Sequence, residues 1–240
     1  MKPQVQTCFK RYEKKYFLTP QQYELFKEKI NPYVKADDYG NYTLCNIYYD
    51  TDDYSLIRES LEKPVYKEKL RVRSYGVPGA DDTVFAEIKK KYDGVVYKRR
   101  AAMSEKTALE FLGKTAAGSG TSQIEKELAY FQLLRRTSPK AFIAYDREAL
   151  QSTVNPGLRI TFDTNLRFRL DRLRLSDGDD GLPLLAGDFI LMEIKIPDAC
   201  PLRLCRILSG LEIRPVSFSK YGICYKNHIL PYKKEMLISA

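Results

Sequence analysis

KEKLRVRSYG, residues 67–76, decides the fold. Successive side chains of a β-strand point to opposite faces, so Lys67, Lys69, Arg71 and Arg73 share one side while Leu70 and Val72 share the other. One face is a cationic ladder and the other is apolar. Taken alone, such a strand is most simply an ordinary two-faced strand with its basic side in water.

The same alternation recurs on both sides of this stretch. In VFAEIKKKY (84–92) Glu87 and Lys89 oppose Ala86 and Ile88, and in GVVYKRRAAM (94–103) Lys98 and Arg100 share a face. In FIAYDREA (142–149) Tyr145 and Arg147 oppose Ala144 and Asp146. In GLRITFDT (157–164) Arg159, Thr161 and Asp163 oppose Leu158, Ile160 and Phe162. In FILMEIKIP (189–197) Glu193 and Lys195 oppose Met192, Ile194 and Ile196, and near the start Arg11, Glu13 and Lys15 fall together. Seven strands therefore set a charged face against a more apolar one, and the charged face mixes several cations with an occasional carboxylate. If the apolar faces pack outward beneath helices, the charged faces point inward. That is tolerable only where an anion and a metal compensate the buried charge. The interior of an eight-stranded barrel has room for side chains or one slender ligand.

Strands are expected at about 9–17, 42–50, 65–75, 83–91, 95–103, 141–149, 157–170 and 188–196. Thr19 and Pro20 form an N-cap and first-turn pair for a helix to about Ile30, and Ser104 with Thr107 and Ala108 begins another ending near Gly113. Further helices fit 52–62, 123–136 and 201–209. The small-residue stretch 115–122 and the acidic turn 176–181 have strands of like character on either side, so neither divides the chain. The expectation is one domain over residues 1–240, of the α+β class, built on an antiparallel barrel or strongly curved sheet with flanking helices.

Composition bounds the partner. The 240 residues carry 40 Lys and Arg against 31 Asp and Glu, a net charge of +9, which points to an anion. The five cysteines, Cys8, Cys45, Cys200, Cys205 and Cys224, show no C-x-x-C spacing, so neither a disulfide framework nor structural zinc is expected. His228 is the only histidine, which leaves little for a Ser-His or Cys-His system. The N-terminus has no apolar core of a signal peptide, and no stretch approaches the roughly 18 to 20 apolar residues that span a bilayer. A soluble, cytoplasmic protein with no transmembrane segment is expected. Zinc-finger spacing, RNP-like motifs and a recognition-helix cluster are all missing, so no nucleic-acid partner is expected, although 18 tyrosines could stack on single strands.

The chemistry of the charged face suits phosphate. Arg presents fixed bidentate donors to phosphate oxygens and Lys a mobile point charge. The carboxylates would repel such a ligand, so Glu193 and Glu87 are candidates for holding Mg2+ or Mn2+, hard ions that take one or two carboxylates plus substrate phosphates. A salt bridge to a neighbouring cation is the competing explanation for each.

Taken together, EKKYFL (13–18), IYYDT (47–51), LRVRSYG (70–76), FAEIKKK (85–91), YKRR (97–100), YDREAL (145–150), RITFDT (159–164), LMEIKI (191–196) and FSKY (218–221) resemble the polyphosphate polymerase domain of the vacuolar transporter chaperone (VTC) family, within the triphosphate tunnel metalloenzymes. The match runs from about Tyr12 to Tyr221. The resemblance implies a tunnel of eight antiparallel strands, with phosphates held by Lys15, Arg71, Arg73, Lys89, Lys98, Arg147, Arg159 and Lys220. Tyr145 and Ser219 would be hydrogen-bonding partners and Glu193 the principal metal ligand. Lys69, from the ladder, and Arg100 and Lys195, equally inward by parity, join the substrate-binding set. Arg71, Arg73, Lys89 and Arg159 are the candidates for direct work on the reacting phosphate.

The eukaryotic relatives carry an inositol-polyphosphate-sensing domain and membrane helices that this sequence does not show, so it looks like a free-standing bacterial version, with a membrane-protein partner still open. Ser217 stands before FSKY where a further basic residue is expected. The activity implied is transfer of the γ-phosphoryl group of ATP to a growing inorganic polyphosphate chain. Hydrolysis of a triphosphate in the same fold, or polyphosphate binding without turnover, is the alternative.

Overall fold

The computed structural model describes residues 8–9, 12–93, 95–113, 122–197 and 199–232; Arg11, expected on the face of Glu13 and Lys15, lies outside them. The strands are β1 (Cys8–Phe9), β2 (Tyr12–Leu18), β3 (Val34–Asp50), β4 (Tyr66–Tyr75), β5 (Thr83–Tyr92), β6 (Val95–Ser104), β7 (Ser138–Ser152), β8 (Arg159–Arg169), β9 (Leu182–Pro183), β10 (Ile190–Ile196) and β11 (Pro215–Val216). The helices are α1 (Pro20–Ile30), α2 (Ser55–Leu61), α3 (Glu105–Gly113), α4 (Gln123–Arg135), α5 (Leu202–Gly210) and α6 (Lys220–Cys224), the last continuing into a π-turn over Tyr225–Ile229.

All pairings described are antiparallel, in the order β1-β6-β5-β4-β3-β7-β8-β10-β2-β11, with β9 added to β8. The sheet curls on itself. Lys89 of β5 reaches Glu13 of β2 at 3.1 Å although five strands lie between them along the sheet. The expected closed barrel of eight strands is corrected here: eight long strands are present, but among the described residues no backbone pairing joins β6 to β2. Each of these would-be closing edges is occupied by a two-residue strand, β1 on β6 and β11 on β2.

The apolar parity set does face outward. On one side Leu70, Val72, Ala86, Ile88 and Phe142 pack with Ala108 and Leu112 of α3 and Leu128 and Phe131 of α4. On the other, Leu18, Ile160, Phe162, Met192 and Ile194 pack with Phe26 and Ile30 of α1 and Leu204 and Leu208 of α5. Burying each large side chain contributes about 1.5–3 kcal/mol, so these two outer cores fix which way every strand faces. Thr19 caps α1 as expected: its hydroxyl accepts from Gln22 N, and the Gln22 side chain accepts from Thr19 N. Ser122 and Glu125 do the same for α4.

Of the differences from the sequence reading, three bear on the site. β3 begins at Val34, eight residues before 42, and its register shifts between Ala36 and Asn41 around Gly40, whose φ of 62° favours glycine. α2 begins at Ser55, not 52, because the Asp50 carboxylate accepts from the N–H groups of Thr51, Leu56 and Ile57 and holds 51–54 as a turn. Finally, Ser219 and Lys220 of FSKY form the N-cap and first residue of helix α6, an element absent from the sequence reading. With the π-turn, α6 fills one part of the concave side with Tyr221, Cys224, Tyr225 and Ile229, packed on Leu44, Ile143, Phe168 and Leu191.

Candidate active site

The remainder of the concave side is charged. Register places Arg73 opposite Asn46 and Phe85, Arg71 opposite Tyr48 and Glu87, Lys69 opposite Lys89, and Lys89 opposite Lys98. Residues directly opposite in a sheet share a face, so β3 to β6 contribute one wall. On the facing wall Glu193 lies opposite both Lys15 and Thr161, Lys195 opposite Glu13 and Arg159, and Arg147 opposite Asp163. Parity is tested by the next residue along: Lys90 turns outward to Glu127 of α4 at 2.8 Å, and Arg99 approaches the same carboxylate at 3.3 Å.

Within the site the cations are held by a few carboxylates and hydroxyls. Glu87, 1% exposed, takes Arg71 at 2.8 Å and Lys98 at 2.5 Å, while Arg71 also donates to the Tyr48 hydroxyl at 3.3 Å. Arg73 donates from Nε to Asn46 Oδ1 at 2.9 Å and from Nη2 to the Tyr145 hydroxyl at 3.2 Å. Arg147 grips Asp163 with two bonds of 2.6 and 2.8 Å, and Lys220, the first residue of α6, meets the same carboxylate at 2.6 Å while lying 4.0 Å from the centre of the Tyr145 ring. Ser219 caps α6 by accepting from Gly222 N and also accepts from Lys69 Nζ at 2.9 Å. Lys15 donates to the Phe218 carbonyl at 2.9 Å.

Two predicted residues stand at the margin. Arg159 is paired with Asp37 of β3 at 2.5 Å and keeps 38% of its side chain exposed. Arg100 is exposed, with its guanidinium 4.6 Å from the centre of the Phe85 ring. The other predicted residues, Lys15, Lys69, Arg71, Arg73, Glu87, Lys89, Lys98, Tyr145, Arg147, Glu193, Lys195, Ser219 and Lys220, come together on the concave face. Several contributors were missed as site residues. Asp163 and Glu13 had the right parity, but nothing local in the sequence pairs them with Arg147, Lys220 and Lys89; Asn46, Tyr48 and Asp37 sit on a strand whose inner face is largely aromatic and apolar.

The electrostatics are those of a site with too much positive charge. Burial, with Lys15 and Lys89 adding to it, pushes the Lys69 ammonium down to about 7. Burial likewise lowers Lys98 to about 7 and Lys15 to about 8, against the pull of Glu87 and Glu193 respectively. Burial acts to raise Tyr145, but Arg73, Arg147 and Lys220 overcome it and bring the phenol to about 7. Against the same desolvation, Lys195, Lys15, Arg147 and Lys220 hold Glu193 well below the usual carboxylate range.

A hard divalent ion finds a suitable donor in Glu193. On the concave face Glu193 and Lys195 of β10 form a checkerboard with Lys15 and Glu13 of β2; Glu193 is 3.0 Å from Lys195 and 3.9 Å from Lys15. It is ionised, buried and diagonal to a second carboxylate. Among the described residues no group of three or more His, Cys, Asp or Glu is arranged to hold an ion. The chain thus offers one or two carboxylates and leaves the remaining positions to water or phosphate oxygens, the pattern Mg2+ accepts. Glu87 fits less well, since Arg71 and Lys98 already occupy it.

No curated protein sequence matches the chain. Among solved structures, HpAC1 from Hippeastrum, a candidate adenylyl cyclase described as having a dominant triphosphatase activity, superposes with a TM-score of 0.51 at 16% identity, covering 88% of this chain and 93% of its own. A candidate adenylate cyclase from Vibrio parahaemolyticus gives 0.49 at 13% identity over 91% and 98%, and the PH1819 protein of Pyrococcus horikoshii 0.47 at 13% over 91% and 99%. The likeness to HpAC1 concerns the fold alone. The VTC domain matches residues 10–229, nearly the full length of the sequence, and the chain belongs to the VTC domain family with the fold of the triphosphate tunnel proteins.

Proposed function

We propose that this protein is a metal-dependent phosphotransferase that moves the γ-phosphoryl group of ATP onto the end of an inorganic polyphosphate chain. One observation carries the reading. Among the described residues, Lys15, Lys69, Arg71, Arg73, Lys89, Lys98, Arg147, Lys195 and Lys220 share the concave face with four carboxylates, Glu13, Glu87, Asp163 and Glu193. Such a surplus of buried positive charge requires an anion of high charge density, and a chain of phosphates supplies it in a shape a curled sheet can surround.

Phosphoryl transfer needs positioning and charge neutralisation more than a protein nucleophile. Arg71 and Arg73 are held rigid by Glu87, Asn46 and Tyr145, so their planar donors are in place before the ligand arrives. Lys89, Lys98 and Lys220 add charge that follows the phosphate oxygens, and Arg159 serves from the margin after leaving Asp37. Glu193 would hold a divalent ion, Mn2+ or Mg2+, which would supply Lewis-acid polarisation of the phosphate oxygens. Asp163 and Glu87 position cations for the reaction without touching the reacting phosphate.

Whether the acceptor is a phosphate chain or water depends on how far the site excludes water. The dominant triphosphatase activity described for HpAC1 favours hydrolysis as the second reading. The test is incubation with ATP and Mn2+ or Mg2+, resolving polyphosphate from free phosphate, for the parent and Glu193→Gln. Chain product that disappears in Glu193→Gln, while the variant melts like the parent and still binds tripolyphosphate, is the expected result. Free phosphate alone selects the triphosphatase; full activity of Glu193→Gln at low metal removes the metal role of Glu193.

A further inference from the structure

The cationic ladder of β4 and β5 does not stop at the level of Lys69 and Lys89. One layer further along, Lys67 lies directly opposite Lys91 on the same inner face. Like charges directly opposite in an antiparallel pair destabilise the sheet. In the neighbouring layers the repulsion is answered: Lys89 has Glu13 at 3.1 Å, and Arg71 has Glu87. In the Lys67 layer, among the described residues, no carboxylate lies within ion-pair distance of either lysine; Lys67 Nζ donates at 3.4 Å to the Ser60 carbonyl of α2. The adjacent carboxylate in sequence, Glu68, faces the other way, toward Arg135 of α4 at 3.1 Å. Both Lys67 and Lys91 are half-buried, and burial together with the charges of Lys91, Lys89 and Lys63 lowers the Lys67 ammonium from its usual range.

We propose that Lys67 and Lys91 form a distal subsite that binds the phosphates of a linear chain beyond the third, so that the protein distinguishes polyphosphate from a triphosphate by length. This rests on the phosphate-binding reading given above and deepens it. From Arg73 to Lys67 is six residues of strand, about 20 Å at 3.3–3.4 Å per residue, a span that a triphosphate does not fill. Arg73, Arg71 and Lys69 serve the near phosphates. Lys69 reaches Ser219 at the start of α6 and Lys67 reaches α2, so the ladder runs out alongside the apolar filling and is not cut off by it. A chain lying along the ladder supplies one negative charge per phosphate and so reaches the Lys67 and Lys91 layer, where among the described residues no carboxylate answers the lysines.

The test measures affinity for tripolyphosphate and for long-chain polyphosphate at constant ionic strength, with the parent, Lys67→Ala/Lys91→Ala and Lys90→Ala, each checked by thermal melt. The double variant should lose about five- to tenfold in affinity for the long chain and change less than about twofold for tripolyphosphate, because each half-exposed contact is modest. Lys90→Ala, on the outer face, should leave both unchanged. An equal loss for both ligands shows only the general field of the protein, and no loss for either shows that the layer is not used; each overturns the subsite. An Arg73→Ala control separates the two levels: if tripolyphosphate binding by the parent is absent or indifferent to Arg73, the phosphate-binding reading itself has failed and the subsite with it.

Discussion

At the residue scale, the titrations of Lys69 and Tyr145 lead to a pH dependence with a definite sign. Both release a proton at about 7 in the folded protein, whereas the unfolded chain keeps the Lys proton to about 10.4 and the Tyr proton to about 10. Between pH 7 and 10 the unfolded chain therefore binds more protons, and these two groups make the ligand-free protein more stable as pH rises through that window. Phosphate binding works in the opposite direction. An anion near Lys69 favours the ammonium, and one that neutralises Arg73, Arg147 and Lys220 removes the cause of the Tyr145 shift, with Asp163 already opposing it. Tripolyphosphate affinity should fall as pH rises from about 7 to 9, and calorimetry in buffers of different ionisation enthalpy should show proton uptake on binding. The tyrosinate absorbance of the free protein near pH 8 should drop on binding and be missing from Tyr145→Phe. Binding without proton uptake, in the parent and in Lys69→Met alike, would refute the assignment.

At the element scale, β5 shows what strand parity does and does not reveal. Lys89 and Lys90 are adjacent and chemically identical, yet one meets Glu13 across the concave face and the other Glu127 on an outer helix. Alternation alone assigned them, because Ala86 and Ile88 had to enter the outer core. Lys89→Ala should therefore weaken tripolyphosphate binding by on the order of 1.5–3 kcal/mol, the worth of a charge-assisted contact. Lys90→Ala should cost no more than about 1 kcal/mol of stability and leave affinity intact; isothermal titration beside a melt checks both. Asp163 and Glu13 were visible by the same alternation, but their value as anchors for Arg147, Lys220 and Lys89 is a pairwise, long-range matter. The α6 helix was hidden because five residues give too short a period to detect. The early start of β3 was hidden by the irregularity at Gly40, which interrupts two-residue alternation.

At the scale of the whole molecule, the open seam was beyond a sequence reading, since closure depends on register between β6 and β2, far apart in the chain, and on two-residue strands that carry no periodic signal. Its consequence is mechanical. Where β6 and β2 lack backbone pairing among the described residues, the walls are drawn together by side chains, Lys89 to Glu13 and Lys69 to Ser219, while Lys15 ties the Phe218 carbonyl to β2 beside that second contact. Every one of these cations is also a proposed phosphate ligand. A bound chain that contacts Lys89 and Lys98 on one wall and Lys15 and Lys195 on the other replaces three isolated polar contacts with a continuous bridge. Ligand at a hundred times its Kd adds about 2.7 kcal/mol to global stability by mass action alone, which slows hydrogen exchange only at amides that open by complete unfolding. Seam amides open locally, so their protection reports the bridge itself. Tripolyphosphate should slow exchange across Tyr12–Leu18, Val95–Ser104 and Lys220–Cys224 by more than it slows the outer helices Pro20–Ile30 and Gln123–Arg135, whose packing the ligand does not touch. Equal slowing everywhere would mean that the anion stabilises the fold only by mass action and that the seam is already as tight without it.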